Sequence, residues 1–561
     1  MNPLATLFDP RARFQRAYAE YLCARFQYLP FPGPRVPLST GWLEPRGLAA
    51  TLARASRVVI TGAPGAGKTT TLVHLAVTAA QRLLKHLDAP VPLFFTARAD
   101  TPLPCVYDLP RGLALGDTLS ARVPRLFFAT ALAQRRALVL IDDADLLSAE
   151  AWHTVLKEYH NATLIVSAEQ PLAGFVEYPL PGFRDSEIET FARKLGVTDV
   201  AAFRSALKTH KVPRPLTAHP LTLRLLIHLW TQQIPLPARR TELFDAYAQT
   251  LIPESETHLL LETTALALQR GDAVSNEALA RSRGFLRAVK QRTVEFVHPL
   301  WQAYFAARAL YHSTTLAPLR PYLADPAWRE VILFYAGLVD ATDLVLNLQS
   351  LGETWLAARA AAHARSLRAD LRDAIRQMLL ARAREGDPHA LAVLREMHDS
   401  AIVEECAREL HSPDARIRQR AVQILGALQS DEAVDHLLPR LRDEDVHVRA
   451  AVIAALGHAF TDRVIEPLLT VLRGDTRAGV DSQIRIAAAQ ALGEIATEKA
   501  VPALVVELQQ GTTERRAAAA EALRRIHSPL MIESLQELTR SADSQLQQYA
   551  RDLLVAFKQS I

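Results

Sequence analysis

Cysteine is scarce in this chain of 561 residues. The three present, Cys23, Cys105 and Cys406, lie far apart and form no metal-binding or redox spacing. That excludes a disulfide framework and a thiolate metal centre, and fits a reduced compartment. Long apolar runs are missing as well. The longest candidate, Val331 to Val339, is nine residues and stops at Asp340, against the ~18 that a membrane-spanning helix needs. The first fifteen residues already carry Asp9, Arg11 and Arg13 and contain no secretory apolar segment, so a soluble, cytoplasmic protein is expected. A dominant charge sign is lacking too: 64 Lys and Arg against 60 Asp and Glu leave a net +4. Nothing in that balance announces a nucleic-acid partner, and scattered arginines read as solvated faces. What is present, 49% hydrophobic and 22% charged residues, is the mixture of a chain that buries large cores. Length alone predicts about three to five domains.

Against this background one stretch stands out: Gly62-Ala63-Pro64-Gly65-Ala66-Gly67-Lys68-Thr69, followed by Thr70. It fits G-x-x-x-x-G-K-[ST], the phosphate-binding loop pattern. Its flanks agree. Arg57-Val58-Val59-Ile60-Thr61 is a β-branched apolar run that reads as a buried parallel strand, and Leu72, Leu75, Ala76, Ala79 and Leu83 recur at helical spacing to about residue 85. Glycines let successive backbone N–H groups curl toward phosphate oxygens, and a helix N-terminus adds partial positive charge. Lys68 would reach the β- and γ-phosphates, and the Thr69 hydroxyl would sit on Mg²⁺.

From 57 to about 180 strands and helices alternate, which predicts a parallel sheet with covering helices. The strands fall at 57–61, 91–96, 137–141 and 163–166. The third runs into Asp142-Asp143-Ala144-Asp145. A hydrophobic strand ending in a carboxylate places Asp142 at the sheet's C-terminal edge, where it can hold Mg²⁺ through water. A second carboxylate, Asp145 or Asp143, can polarise an attacking water. N-terminal to this lies a helix over about Pro10–Phe26, read as a packing or adaptor helix, and then a proline-rich stretch to Pro34. C-terminal to it the chain turns helical. One segment, Ala218-His219-Pro220-Leu221-Thr222-Leu223, opens a helix with proline near its first turn. A short strand at Thr293–Val297 enters another helix at His298-Pro299, like the tail of a winged helix.

The order of these features, with Phe296-Val297-His298-Pro299-Leu300-Trp301-Gln302-Ala303-Tyr304-Phe305-Ala306-Ala307 and then Trp328-Arg329-Glu330-Val331-Ile332-Leu333-Phe334, resembles the NACHT branch of the STAND NTPases over roughly residues 28–340. The resemblance implies a nucleotide, ATP or ADP with Mg²⁺, clamped between an NTPase domain, a helical domain and a winged helix. It further implies that Pro220 packs near the adenine and that His298 contacts a phosphate in a closed, diphosphate-bound state. Three positions depart from the family's pattern. Asp143 stands where a small residue is usual, Asp145-Leu146 where Asp-Glu is usual, and Glu169 where an arginine senses the γ-phosphate. A carboxylate cannot neutralise developing phosphoryl charge, so binding is expected with hydrolysis slow or completed by another subunit.

Beyond 400 an internal repeat is legible. Asp414, Arg418 and Gly426 recur as Asp445, Arg449 and Gly457 and again as Asp481, Arg485 and Gly493, at periods of 31 and 36 residues. Two short helices per period resemble HEAT-type repeats, which stack because no unit buries its own apolar face. The Asp and Arg are expected to bridge adjacent repeats, and the glycine to allow close helix contact. The expected architecture is multidomain: a helical segment at 1–45, an α/β P-loop NTPase at 46–181, a helical domain at 182–245, a winged helix at 246–315, a helical linker at 316–400 and an α-solenoid of HEAT-like repeats at 401–561. Two functions fit. One is an ATP-dependent signal-transduction switch that opens and forms a homo-oligomer when the solenoid binds a protein or nucleic-acid ligand. The other is a non-hydrolysing scaffold stabilised by its nucleotide.

Overall fold

A computed structural model describes residues 9–560 apart from 30, 33–35, 41, 98–102, 105–108, 110–112, 114–118, 120, 121, 125, 273, 275, 276, 290–292, 313, 314, 460, 475–481 and 527. Cys105 and Asp481 therefore lie outside the described residues. The chain divides into two compact units, 1–181 and 182–561.

The first unit is built on five parallel strands, β1 (Arg57–Thr61), β2 (Val91–Thr96), β3 (Ala137–Asp142), β4 (Thr163–Ala168) and β5 (Val176–Pro179), in the order β2-β3-β4-β1-β5. Strands covered on both faces need continuous apolar sequence, and Val58, Val59 and Ile60 in β1 are all fully buried. Alternation divides them: Val59, Val139 and Val166 join one core, while Val58, Ile60, Leu140 and Ile165 join the other. Helix α1 (Pro10–Arg25) starts at an Asp9 cap with proline at its first position. It contributes Phe14, Tyr18 and Leu22 to the first core, and the Tyr18 hydroxyl donates to the Pro92 carbonyl at 2.6 Å. This is the packing helix expected from sequence. Helix α2 (Lys68–Lys85) follows the glycine loop. Sequence missed β5, whose four residues include a proline; its place at the sheet edge makes the proline tolerable.

Among its described residues the second unit is mainly helical, with one antiparallel hairpin and an isolated bridge between Asp340 and Ser366. In chain order it includes α3 (Asp185–Lys194), α4 (Pro220–Thr231), α5 (Ser255–Arg270), strands β6 (Leu286–Val289) and β7 (Thr293–Phe296), and α6 (Pro299–Tyr311). Helices α5 and α6 pack against one another, with the hairpin between them in the chain. The aromatic-rich segment after His298 is core material. Trp301, Tyr304 and Phe305 are fully buried, with Trp301 against Phe244 at 4.6 Å and against Phe285 at 4.8 Å between ring centres.

The solenoid stacks α7 (Ala415–Leu428), α8 (Val446–Gly457), α9 (Ser482–Ile495) and α10 (Thr513–Ile526). The repeated glycine has the expected role. A Cβ added at Gly426 would come 2.5 Å from that of Ala455, at Gly457 3.0 Å from that of Ala491, and at Gly493 2.9 Å from that of Ala522. The repeated aspartate needs a correction at Asp414 and Asp445, whose hydrogen bonds go to the starts of their own helices, whereas Asp543, which opens the last helix in the same way, also takes Arg516 from the preceding repeat. Asp414 caps α7, accepting from the Arg416 N–H at 2.8 Å, and Asp445 caps α8, accepting from the His447 N–H at 2.8 Å. Short side chains at a helix start satisfy their own orphan N–H groups. The arginines find other partners. Arg418 makes a two-pronged pair with Asp443 (2.8 and 3.1 Å), Arg485 reaches Glu507 at 3.1 Å, and Arg516 reaches Asp543 at 2.7 Å. Arg449 donates instead to the Asp443 and Glu444 carbonyls.

One long-range contact had no sequence signal. Arg184, 5% exposed, donates to the Gly457 carbonyl at 3.2 Å and the Thr461 carbonyl at 3.4 Å, at the end of α8. Next to it, Asp185 accepts from Arg214 at 2.6 Å and from the Thr461 hydroxyl at 3.1 Å, and pairs with Arg204 at 3.2 Å. The Ser186 N–H donates to Asp462 at 3.0 Å. The start of α3 is thus clasped to the residues at and just after the end of α8.

Candidate nucleotide site

The loop between β1 and α2 turns on three glycines. Gly62, Gly65 and Gly67 have φ of 153°, 83° and 100°, a region that residues with a Cβ rarely enter. A Cβ on Gly62 would also lie 3.2 Å from that of Ala66. The loop closes on itself through Ala66 N–H to the Ala63 carbonyl at 3.1 Å and enters the helix through Thr71 N–H to the Gly67 carbonyl at 2.8 Å. Lys68 folds over it, its Nζ donating to the Gly62 carbonyl at 2.6 Å. Exposed Thr69 and half-buried Thr70 open α2. Ahead of the loop, the Thr61 hydroxyl donates to Glu177 of β5 at 2.8 Å.

The second motif meets the first. Asp142, 3% exposed at the end of β3, accepts on one carboxylate oxygen from the Thr69 hydroxyl at 3.1 Å and from the Ser167 hydroxyl at 2.6 Å. Ser167 in turn accepts from the Asp143 N–H at 2.9 Å. Burial pushes the Asp142 carboxyl above its ordinary range, and the bonds from Ser167 and Thr69 and the Lys68 charge oppose this. Asp143 turns the chain in the left-handed region, φ 55°. Burial, then the charges of Asp142 and Asp145, raise its pKa to about 6. Asp145 is exposed in the following short turn, Leu146 is 50% exposed, and Glu169 is exposed yet close enough to act on Asp143. The three departures noted from sequence therefore lie together.

These groups fit a magnesium nucleotide. Among the described residues no cluster of three or more His, Cys, Asp or Glu side chains is arranged to hold a metal alone. Mg²⁺ in nucleotide sites usually takes one or two protein ligands, substrate phosphates and water. Thr69 beside Asp142, under an open glycine cradle and a lysine, is that kind of donor set. Pro220 and His298 belong to the second unit. Pro220 is the first residue of α4, and His298 caps α6, its Nδ1 accepting from the Leu300 N–H at 3.1 Å. Sequence reasoning missed Ser167 and Glu177. The signal for Ser167 was a hydroxyl interrupting the apolar run of a buried strand.

Comparison with known families agrees with this geometry. The NACHT domain family matches residues 56–195, and the HEAT repeats family matches 403–483 and 477–554. No curated protein matches the chain. Two crystal structures of engineered proteins are similar to it, one at 22% identity over 40% of this chain and 98% of that one, with a TM-score of 0.24. The other is 18% identical over 66% and 98%, with a TM-score of 0.23. Scores this low carry no argument. Among the described residues, no helix is long and apolar enough to cross a membrane. The chain carries a NACHT domain, hence a nucleotide-binding NTPase module, followed by a HEAT-repeat scaffold.

Proposed function

We propose that this protein is a signal-transduction switch of the STAND type, in which bound ATP or ADP controls opening of the chain and its assembly into homo-oligomers. The HEAT solenoid would be the sensor, taking a protein or nucleic-acid ligand. The observation that carries the reading is the meeting of Lys68 and Thr69 with Asp142 at the end of a three-glycine loop. Residues Gly62 to Thr70 would bind the phosphates. Thr69 and Asp142 would hold Mg²⁺, which when bound neutralises charge on the phosphate oxygens. Asp145 would orient water. Asp142→Asn should spare ADP binding in EDTA while weakening Mg-ATP binding about tenfold, since its task is the metal. Equal losses for the two nucleotides would argue against that role.

Pro220 near the adenine and His298 on a phosphate complete the reading. A hydrogen bond to a charged group is worth about 1.5–3 kcal/mol. His298→Ala should therefore weaken ADP retention by about 10–100-fold and shift the chain toward larger assemblies on gel filtration. Since His298 caps α6, the competing outcome is a lower melting temperature with unchanged co-purified ADP, and that result would make the histidine structural.

The scaffold reading keeps one specific support. Glu169 stands where phosphoryl charge needs a cation, and Leu146 where a polar residue would act on water. Phosphate release by the purified chain from Mg-ATP above the uncatalysed background would exclude a non-hydrolysing scaffold.

A further inference from the structure

We infer that Ser167 is a positioning residue that sets the metal-binding geometry of Asp142 from the neighbouring strand. The inference rests on the Mg-nucleotide reading of the site. Strand β4 lies between β1, which feeds the glycine loop, and β3, which ends in Asp142. In register, Ser167 stands beside Ile60, two residues before Gly62, and the preceding Val166 stands beside Ile141. This puts one hydroxyl at the point where both motifs leave the sheet. Ser167 is 0% exposed, out of reach of bulk solvent.

The hydroxyl is used in both directions. It accepts from the Asp143 N–H at 2.9 Å and donates to the Asp142 carboxylate at 2.6 Å. A serine has one proton to donate, and the incoming amide occupies a lone pair, which leaves that proton aimed at Asp142. A short hydroxyl-to-carboxylate bond is of the strong, charge-assisted kind. It holds the carboxylate in one orientation beside Thr69, whose hydroxyl reaches the same oxygen at 3.1 Å. The bond to Asp143 also pins the left-handed residue that turns the chain out of β3 (φ 55°, ψ 44°). Partners of this kind, bonded to a metal ligand and not to the metal, usually change metal affinity by about 10–100-fold when removed. A merely structural serine would instead close an apolar strand and satisfy one N–H, with no bearing on the cation.

The two roles separate in a binding experiment on the full chain, using a fluorescent ATP analogue titrated with Mg²⁺ and, in parallel, in EDTA. Ser167→Ala should raise the Mg²⁺ concentration for half-maximal enhancement of binding about tenfold or more, and change the EDTA affinity less than about threefold. Ser167→Thr, which keeps the hydroxyl, should recover most of the Mg²⁺ response. Equal losses in both arms, or a lower melting temperature with the Mg²⁺ response intact, would overturn the positioning role. If the wild-type chain bound the analogue with no Mg²⁺ dependence, the reading of Asp142 and Thr69 would itself fall, and the inference with it.

Discussion

Lys68→Ala should abolish tight nucleotide binding, lowering affinity by about 100-fold or more, while the melting temperature of the nucleotide-free chain stays unchanged. The lysine contributes no core packing. It is half-buried, and its ammonium is spent on the Gly62 carbonyl at 2.6 Å and the Ala63 carbonyl at 3.4 Å. Phosphate oxygens would draw the same ammonium into charge-assisted bonds. Each is worth about 1.5–3 kcal/mol, and about 2.7 kcal/mol is a hundredfold. Isothermal titration with ADP and ATP measures the loss. Retention of wild-type affinity would refute the phosphate-loop assignment outright.

A comparably large effect is expected far from the loop. Asp185→Ala should destabilise the 182–561 unit by about 3–5 kcal/mol, because it removes the carboxylate that neutralises Arg214 beside the buried clasp on Thr461, while Arg204 keeps Glu189 at 2.5 Å. The side chains of Arg214 and Asp185 are only 14% and 11% exposed, so the pair has little solvent to fall back on. Urea unfolding of the full chain, followed by helical circular dichroism, gives the measurement. Hydrogen exchange at the Ser186 N–H, bonded to Asp462 at 3.0 Å, reports locally. An unchanged midpoint with an equally protected Ser186 would remove the clasp from the account. The pH dependence has a definite sign. Burial alone would raise the Asp185 pKa, but Arg214 and Arg204 outweigh it and hold the carboxyl below its ordinary 3.8. A group depressed in the folded state stabilises fully above its unfolded pKa. The clasp should therefore hold at neutral pH and weaken only as pH falls below about 3.8.

Much of the site was legible without coordinates because its chemistry is local. A glycine loop, its lysine and its threonine are consecutive, and the need for positive φ at Gly62, Gly65 and Gly67 is written into the residue type. Asp142 was legible because a buried parallel strand must be apolar until it reaches the edge. Ser167 was not, since its importance comes from β4 being inserted between β1 and β3, a fact of strand order. The repeat in the solenoid was half legible. Gly426, Gly457 and Gly493 were read as close-contact positions, which they are. The recurring aspartates were read as bridges, although Asp414 and Asp445 cap their own helices. Periodicity shows that a residue type recurs, and it cannot tell a contact within one repeat from a contact with the next.

By itself, then, the amino-acid order determined the phosphate loop, its flanking strand and helix, the Asp-ended strand, and the glycine spacing of the stacked helices. Each depends on backbone geometry within one element, where neighbours in sequence are neighbours in space. Only the tertiary structure decided which acid meets which arginine along the solenoid, which hydroxyl orients Asp142, and that Arg184 and Asp185 grip residues more than 270 positions away. Those pairings are between side chains brought together by packing, and hydrophobic burial, which drives the packing, has no direction of its own. The polar partners are settled last, by where the packed elements happen to leave them.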